Sequence, residues 1–197
     1  MKTTVGWCCA IALFALMGGG CSTPPDQQAV AAIEAAGGKV RLDKDGRVTE
    51  VDLSRTQADD ELVAMLAALP GIETLNLSET QVTGAGLSQL GGLTELDTLY
   101  LVGTPLKDDG LQHIARLTAL RTLHLGRTQI TDAGLPALRH LSELRTLSLG
   151  HTAVSDAGLV QLRSLNQLGT LILHHTNVTP AGAKGLRRSL PNARIDD

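Results

Sequence analysis

The chain has 197 residues, 17 basic and 20 acidic side chains, a net charge of −3 and three aromatic residues. A net negative balance argues against nucleic acid as the main partner. Tyr100 is the lone aromatic beyond residue 20, so there is no stacking platform for bases or sugars.

Residues 1–20 have the composition of a targeting segment. Lys2 gives a basic start, and Trp7 to Met17 is an apolar run too short to span a bilayer as a helix. Gly18-Gly19-Gly20 and then Cys21 follow. The segment resembles a bacterial lipoprotein signal peptide, and the resemblance implies that Cys21 is the lipidated first residue of the mature chain. Gly20 fits that pattern, whereas Gly18 stands where the family prefers Leu. An ordinary cleaved signal with a stray Cys is the alternative. Ser22 follows Cys21 in place of the Asp that retains lipoproteins in the inner membrane of well-known bacteria. The expected location is therefore the cell envelope, with the chain exported and anchored at the outer membrane or the periplasmic face. Cys8 and Cys9 leave with the signal, so neither a disulfide nor a cysteine metal site is expected. Lys2 leaves too, so 16 basic residues remain against 20 acidic ones and the net charge becomes −4.

Residues 21–28 form a tether, kept extended by Pro24-Pro25. The pattern predicts a short helix over Asp26 to Ala36, with Ala29, Val30 and Ile33 as its apolar stripe and Gly37-Gly38 as its stop. Asp43-Lys44-Asp45-Gly46 sits between two strand-like stretches and signals a hairpin. Together, residues 29–47 form an N-terminal cap of the kind a stack of repeats needs over its open core.

Residues 48–190 are periodic. Leu75, Leu99, Leu123, Leu147 and Leu171 share one 24-residue register, and Leu77, Leu101, Leu125, Leu149 and Leu173 share another. Thr80, Thr104, Thr128, Thr152 and Thr176 recur likewise, as do Gly86, Gly110, Gly134, Gly158 and Gly182. A fixed period of this length marks a solenoid. The unit L-x-x-L-x-L-x-x-T-x-[IVL]-x-x-x-G-L-x-x-L-x-x-L resembles the leucine-rich repeats of bacterial proteins, of the short kind with TDAGL after the strand. That resemblance implies an α/β fold of about six repeats, with parallel strands on the concave face and short helices on the convex face. Most such repeats carry Asn where this chain has Thr128. A Thr hydroxyl still satisfies buried backbone groups in the turn. Thr131 and Asp132 suit a helix start, as N-cap and as first-turn acid. The row Asp108, Asp132 and Asp156 is accounted for as helix caps. The repeated Gly is out of place, because Gly costs a helix about 1 kcal/mol relative to Ala. The expectation is that it lets neighbouring helices approach. The first repeat is degenerate, with Leu62 in the Gly register, and the sixth decays around Pro180 and Ala183. Residues 191–197 close the stack as a C-terminal cap containing a last short strand.

No nucleophile with a base, no catalytic carboxylate pair and no phosphate loop is evident, so no enzyme activity and no cofactor are expected. The distinctive residues are on the concave side. His124 and His174 take outward positions, while His151 and His175 share a register one repeat apart, about 5 Å between backbones. Arg127 holds that register one repeat earlier, and Tyr100 lies towards the same region. Tyr100, His124, Arg127, His151, His174 and His175 are thus the candidate protein-binding residues, for an unknown protein partner or an acidic ligand. No carboxylate is well placed to complete a metal site, so none is assigned. The Thr74, Thr98, Thr122, Thr146, Thr170 column is explained by strand propensity alone.

The expected function is a non-catalytic, monomeric protein-binding module held to the membrane by the lipid on Cys21. The alternatives are a structural envelope protein without a specific ligand and a metal-binding protein using the His cluster. The I-T-D-A-G-L phrase also resembles the repeats of eukaryotic F-box substrate receptors. Their turn has Cys in place of Thr128 and an F-box precedes it, so that function does not carry over.

Overall fold

The computed structural model describes residues 24–197. Residues 1–23, with the signal segment and Cys21, lie outside the described residues. The N-terminal cap consists of α1 (Pro25–Ala35) and the antiparallel pair β1 (Lys39–Leu42) and β2 (Val48–Asp52). Gly37 ends α1 with a φ of +84°, a conformation that costs Gly nothing. Asp43 closes the hairpin by accepting from the backbone N–H groups of Asp45 and Arg47.

From β2 onward each turn of the chain adds one parallel rung: β3 (Thr74–Asn76), β4 (Thr98–Tyr100), β5 (Thr122–His124), β6 (Thr146–Ser148), β7 (Thr170–Ile172) and β8 (Arg194–Asp196). The eight strands form one sheet in chain order. The register advances by one full repeat at each rung from β2 to β8, as in Leu99 opposite Leu123 and Leu123 opposite Leu147. The return segments carry α2 (Asp60–Met65), α3 (Gly84–Leu87), α4 (Asp108–Ile114), α5 (Asp156–Leu159) and α6 (Pro180–Ser189). Several run on as 3-10 turns, at Leu66–Ala68, Ser88–Gly92 and Val160–Ser164. The fourth full repeat has only the 3-10 turn Leu135–His140, where Pro136 has no N–H to give to an α-helical bond. The convex side is therefore a mixture of short α-helices and 3-10 turns. The leucines of both registers are fully or almost fully buried between sheet and helices, in one continuous core from Ala29 to Ile195.

Two hydrogen-bond ladders hold the rungs. In the first, each register Thr donates its hydroxyl to the carbonyl three residues earlier: Thr80 to Leu77, Thr104 to Leu101, Thr128 to Leu125 and Thr152 to Leu149, at 2.6–2.9 Å. This turns the chain after every strand without Asn. The second ladder joins one repeat to the next. Asp108 accepts the backbone N–H of Thr131 at 2.8 Å and its hydroxyl at 2.6 Å. Asp60 does the same for Thr83, Asp132 for Ser155 and Asp156 for Thr179. Those bonds from Thr179 hold the Asp156 carboxyl below the usual carboxylate range.

The Asp row, expected to cap its own helices, instead bonds forward: each carboxylate grips the Thr or Ser that opens the return segment of the following repeat. It also explains the glycines. A Cβ on Gly134 would come within 2.5 Å of Asp108 Oδ1, and one on Gly158 or Gly182 would meet Asp132 or Asp156 in the same way. What comes close at the glycine is chiefly the preceding repeat's carboxylate, joined at Gly134 and Gly158 by a leucine methyl. The ladder is interrupted once, between the second and third repeats, and both partners are missing together there. Gly84 stands in the Asp register and Lys107 in the Thr register, and Gly84 packs directly against the backbone of Gly110.

Candidate functional site

Immediately after each strand the backbone enters the left-handed region at one register position. Arg55, Glu79, Arg127, His151 and His175 have φ between 56° and 59°, and Gly103 completes the column at 72°. A non-glycine residue there is uncommon, yet the geometry recurs because the Thr turn and the rung-to-rung bonds dictate it. The N–H of Arg127 bonds the carbonyl of Gly150, and that of His151 the carbonyl of His174. The side chains of this column are thus lifted out along the edge of the concave face at fixed spacing. Arg55 and Glu79 pair at 3.2 Å. His151 and His175 stack with ring centroids 4.3 Å apart and planes inclined by 24°.

His174 joins them from the adjacent register. Its imidazole meets both rings edge-on, at 5.5 Å from His151 and 5.7 Å from His175. It has room because Gly150 lies beneath it: a Cβ there would be 2.8 Å from His174 Nε2. Tyr100 and His124, at matched positions on β4 and β5, stack separately with centroids 4.9 Å apart and planes inclined by 14°. The six residues singled out by sequence therefore fall into two ring clusters. The next position of the Tyr100–His124 column is Ser148, which is buried, and no ring contact bridges the two clusters among the described residues. Arg127 belongs with the histidine triplet and makes no ion pair among the described residues.

The electrostatics follow from this crowding. His151 is held below the usual imidazole pKa by desolvation first, then by the charges of His175, Arg127 and His174. Burial alone lowers His124. His151 therefore resists taking up a proton unless an anion is supplied. Face-to-face stacking of His151 and His175 points their ring nitrogens sideways, not to a common centre. Among the described residues no group of three or more His, Cys, Asp or Glu side chains is arranged to hold a metal ion.

One further feature was not anticipated from the sequence. Where Gly103 interrupts the edge column, a notch of about 530 Å³ opens, lined by Gln81, Pro105, Arg127, Gln129 and His151 above the turn threonines Thr80, Thr104 and Thr128. The signal available in the sequence was Gly103 itself, in a register otherwise filled by long side chains.

A family profile described as Leucine Rich repeat matches residues 117–138. An internalin (inlF) from Listeria monocytogenes is similar at 25% identity with a TM-score of 0.59, over 68% of this chain. The fold is a leucine-rich repeat solenoid. The chain spans 37% of the length of inlF. A second Listeria internalin, C2 (inlC2), is also 25% identical, with a TM-score of 0.56, over 87% of this chain and 82% of its own length. The leucine-rich repeat protein LIC12759 of Leptospira interrogans, at 19% identity and a TM-score of 0.51 over 68% of this chain and 39% of its own, shares the fold. No curated protein matches the chain. Leucine-rich repeat folds are generally protein-binding modules and typically non-enzymatic scaffolds.

Proposed function

We propose that this protein is a lipid-anchored, non-catalytic binding module of the bacterial cell envelope. It engages a protein partner through the concave side, using Tyr100, His124, Arg127, His151, His174 and His175. The observation that carries this reading is the grouping of these rings. The chain beyond residue 20 has a single Tyr, and it stacks on a His. Three more His pack together at and beside the edge column, next to an Arg free of ion pairs among the described residues. Flat side chains that are already ordered lose little entropy on binding, and Tyr and Arg are favoured at binding hot spots. The anchor rests on Cys21 and the apolar segment before it. No described helix is long and apolar enough to cross a membrane.

The test is a crosslinking pull-down from intact envelopes with the native chain, Cys21→Ser and a Tyr100→Ala/His151→Ala/His175→Ala variant. Membrane recovery that depends on Cys21, with one partner lost in the triple variant, is the expected result. Recovery of Cys21→Ser in the membrane fraction would remove the anchor. An unchanged partner profile in the triple variant would remove the binding face and leave a structural role.

A further inference from the structure

The notch at Gly103 and the histidine triplet share a wall, which is Arg127 and His151. We propose that this notch receives a carboxylate side chain of an acidic peptide segment, paired by Arg127 and held more tightly as His151 protonates. This rests on the reading of the concave side as a protein-binding surface and names the chemistry of the segment it takes.

Three observations converge on it. The notch is a shallow, open depression at the glycine of the edge column, and its lining includes the Gln81 and Gln129 amides, which can donate to a carboxylate. Its one permanent cation, Arg127, has no anion paired to it among the described residues, and a guanidinium matches a carboxylate in two-pronged geometry. Behind Arg127, the imidazoles of His151, His174 and His175 form a closed triplet with ring centroids 4.3, 5.5 and 5.7 Å apart. Desolvation and then the charges of His175, Arg127 and His174 disfavour protonation of His151, and an arriving anion relieves that cost.

The other charges near the site do not compete for Arg127. Glu79, whose side chain lies beside Gly103, is paired with Arg55. Asp196 occupies the rung beyond Ile172, in the concave column rather than on the edge. His124 belongs to the other ring cluster. The sign follows. Arg127 carries its charge throughout, and as pH falls His151 gains a proton while aspartate carboxylates, with an ordinary pKa of about 3.9, stay ionised.

The probe is a fluorescein-labelled, capped hexa-aspartate peptide, with hexa-asparagine as control, titrated into the purified full chain in mild detergent by fluorescence polarisation. The expected result is binding of the acidic peptide at least about ten-fold tighter at about pH 5.5 than at about pH 7.5. Arg127→Gln and, independently, Gly103→Gln should each weaken it by at least about five-fold at the lower pH. Gly103→Gln keeps the fold, because Glu, Arg and His already occupy this backbone conformation in the same column. The nearest atom to the new Cβ is in the flexible Glu79 side chain, at 3.3 Å, with the Glu79 backbone at an ordinary contact distance of 3.9 Å. Circular dichroism confirms that both variants fold, and if Gly103→Gln does not, Arg127→Gln decides.

Equal binding of hexa-asparagine, absence of hexa-aspartate binding, or binding indifferent to both variants would overturn the proposal. A partner captured through the ring clusters by a protein that does not bind hexa-aspartate leaves the binding module standing and removes only the carboxylate site.

Discussion

Replacing Asp108 with Ala removes a carboxylate that accepts two hydrogen bonds from Thr131, one from its backbone and one from its hydroxyl. Both bonds are to a charged acceptor and half-buried, and the Thr131 N–H loses its acceptor. A hydrogen bond to a charged group contributes about 1.5–3 kcal/mol. Partial exposure brings the pair to about 3 kcal/mol in all. For a domain of this size about 1 kcal/mol corresponds to about 2–4 °C, so Tm should fall by about 6–12 °C. A second change sharpens the test. In the native chain, Gly134→Ala places a methyl within 2.5 Å of Asp108 Oδ1 and 2.9 Å of a Leu111 methyl. With Ala at position 108 the first obstacle is gone. The two substitutions should therefore be non-additive, the double variant being more stable than the sum of the single effects by at least about 1 kcal/mol. Urea denaturation followed by far-ultraviolet circular dichroism on the four proteins measures this. A loss below about 1 kcal/mol for Asp108→Ala, or strict additivity, would refute the claim that the carboxylate clamps successive repeats and selects Gly.

Three further outcomes follow from the same geometry. Thr128→Val should cost about 1–2 kcal/mol, because the buried Leu125 carbonyl loses its 2.6 Å donor, and the urea midpoint reads it directly. The Asp156 carboxyl is held below its ordinary pKa of 3.8, so its stabilising effect is complete above that value and is lost as pH falls through the lower, folded value. The difference in urea midpoint between the native chain and Asp156→Asn should hence be constant near neutrality and shrink in acid. A difference that grew with acid would contradict the assignment. Arg127→Gln should raise the pKa of His151, seen in its ring proton shifts on titration, because one of the charges opposing its protonation is gone.

Much of the fold is present in the spacing. The regular register places Leu99, Leu123 and Leu147 on one column of the sheet, and a strand of period two leaves no other face for them. The threonine turn was also accessible, since a hydroxyl at that fixed distance from the strand has a carbonyl within reach. The partner of the aspartates was not. A local view assigns each acid to its own helix, whereas the bond reaches from one repeat into the next and appears only when the rungs are stacked. The joint loss of Asp and Thr at Gly84 and Lys107 was the clue. Likewise, register alone set His151 beside His175. The tilt of His174 over Gly150 and the notch at Gly103 depend on the left-handed turn, which no composition signals when Arg, Glu and His occupy it.

The most direct test of a concave binding surface is site-specific photocrosslinking in cells. A photoreactive phenylalanine replaces His124 or His151 on that side, and Arg139 on the convex 3-10 turn as control. The account predicts that both concave positions crosslink to the same partner and that the convex position does not. A partner captured from position 139 alone, or different proteins from positions 124 and 151, would contradict it.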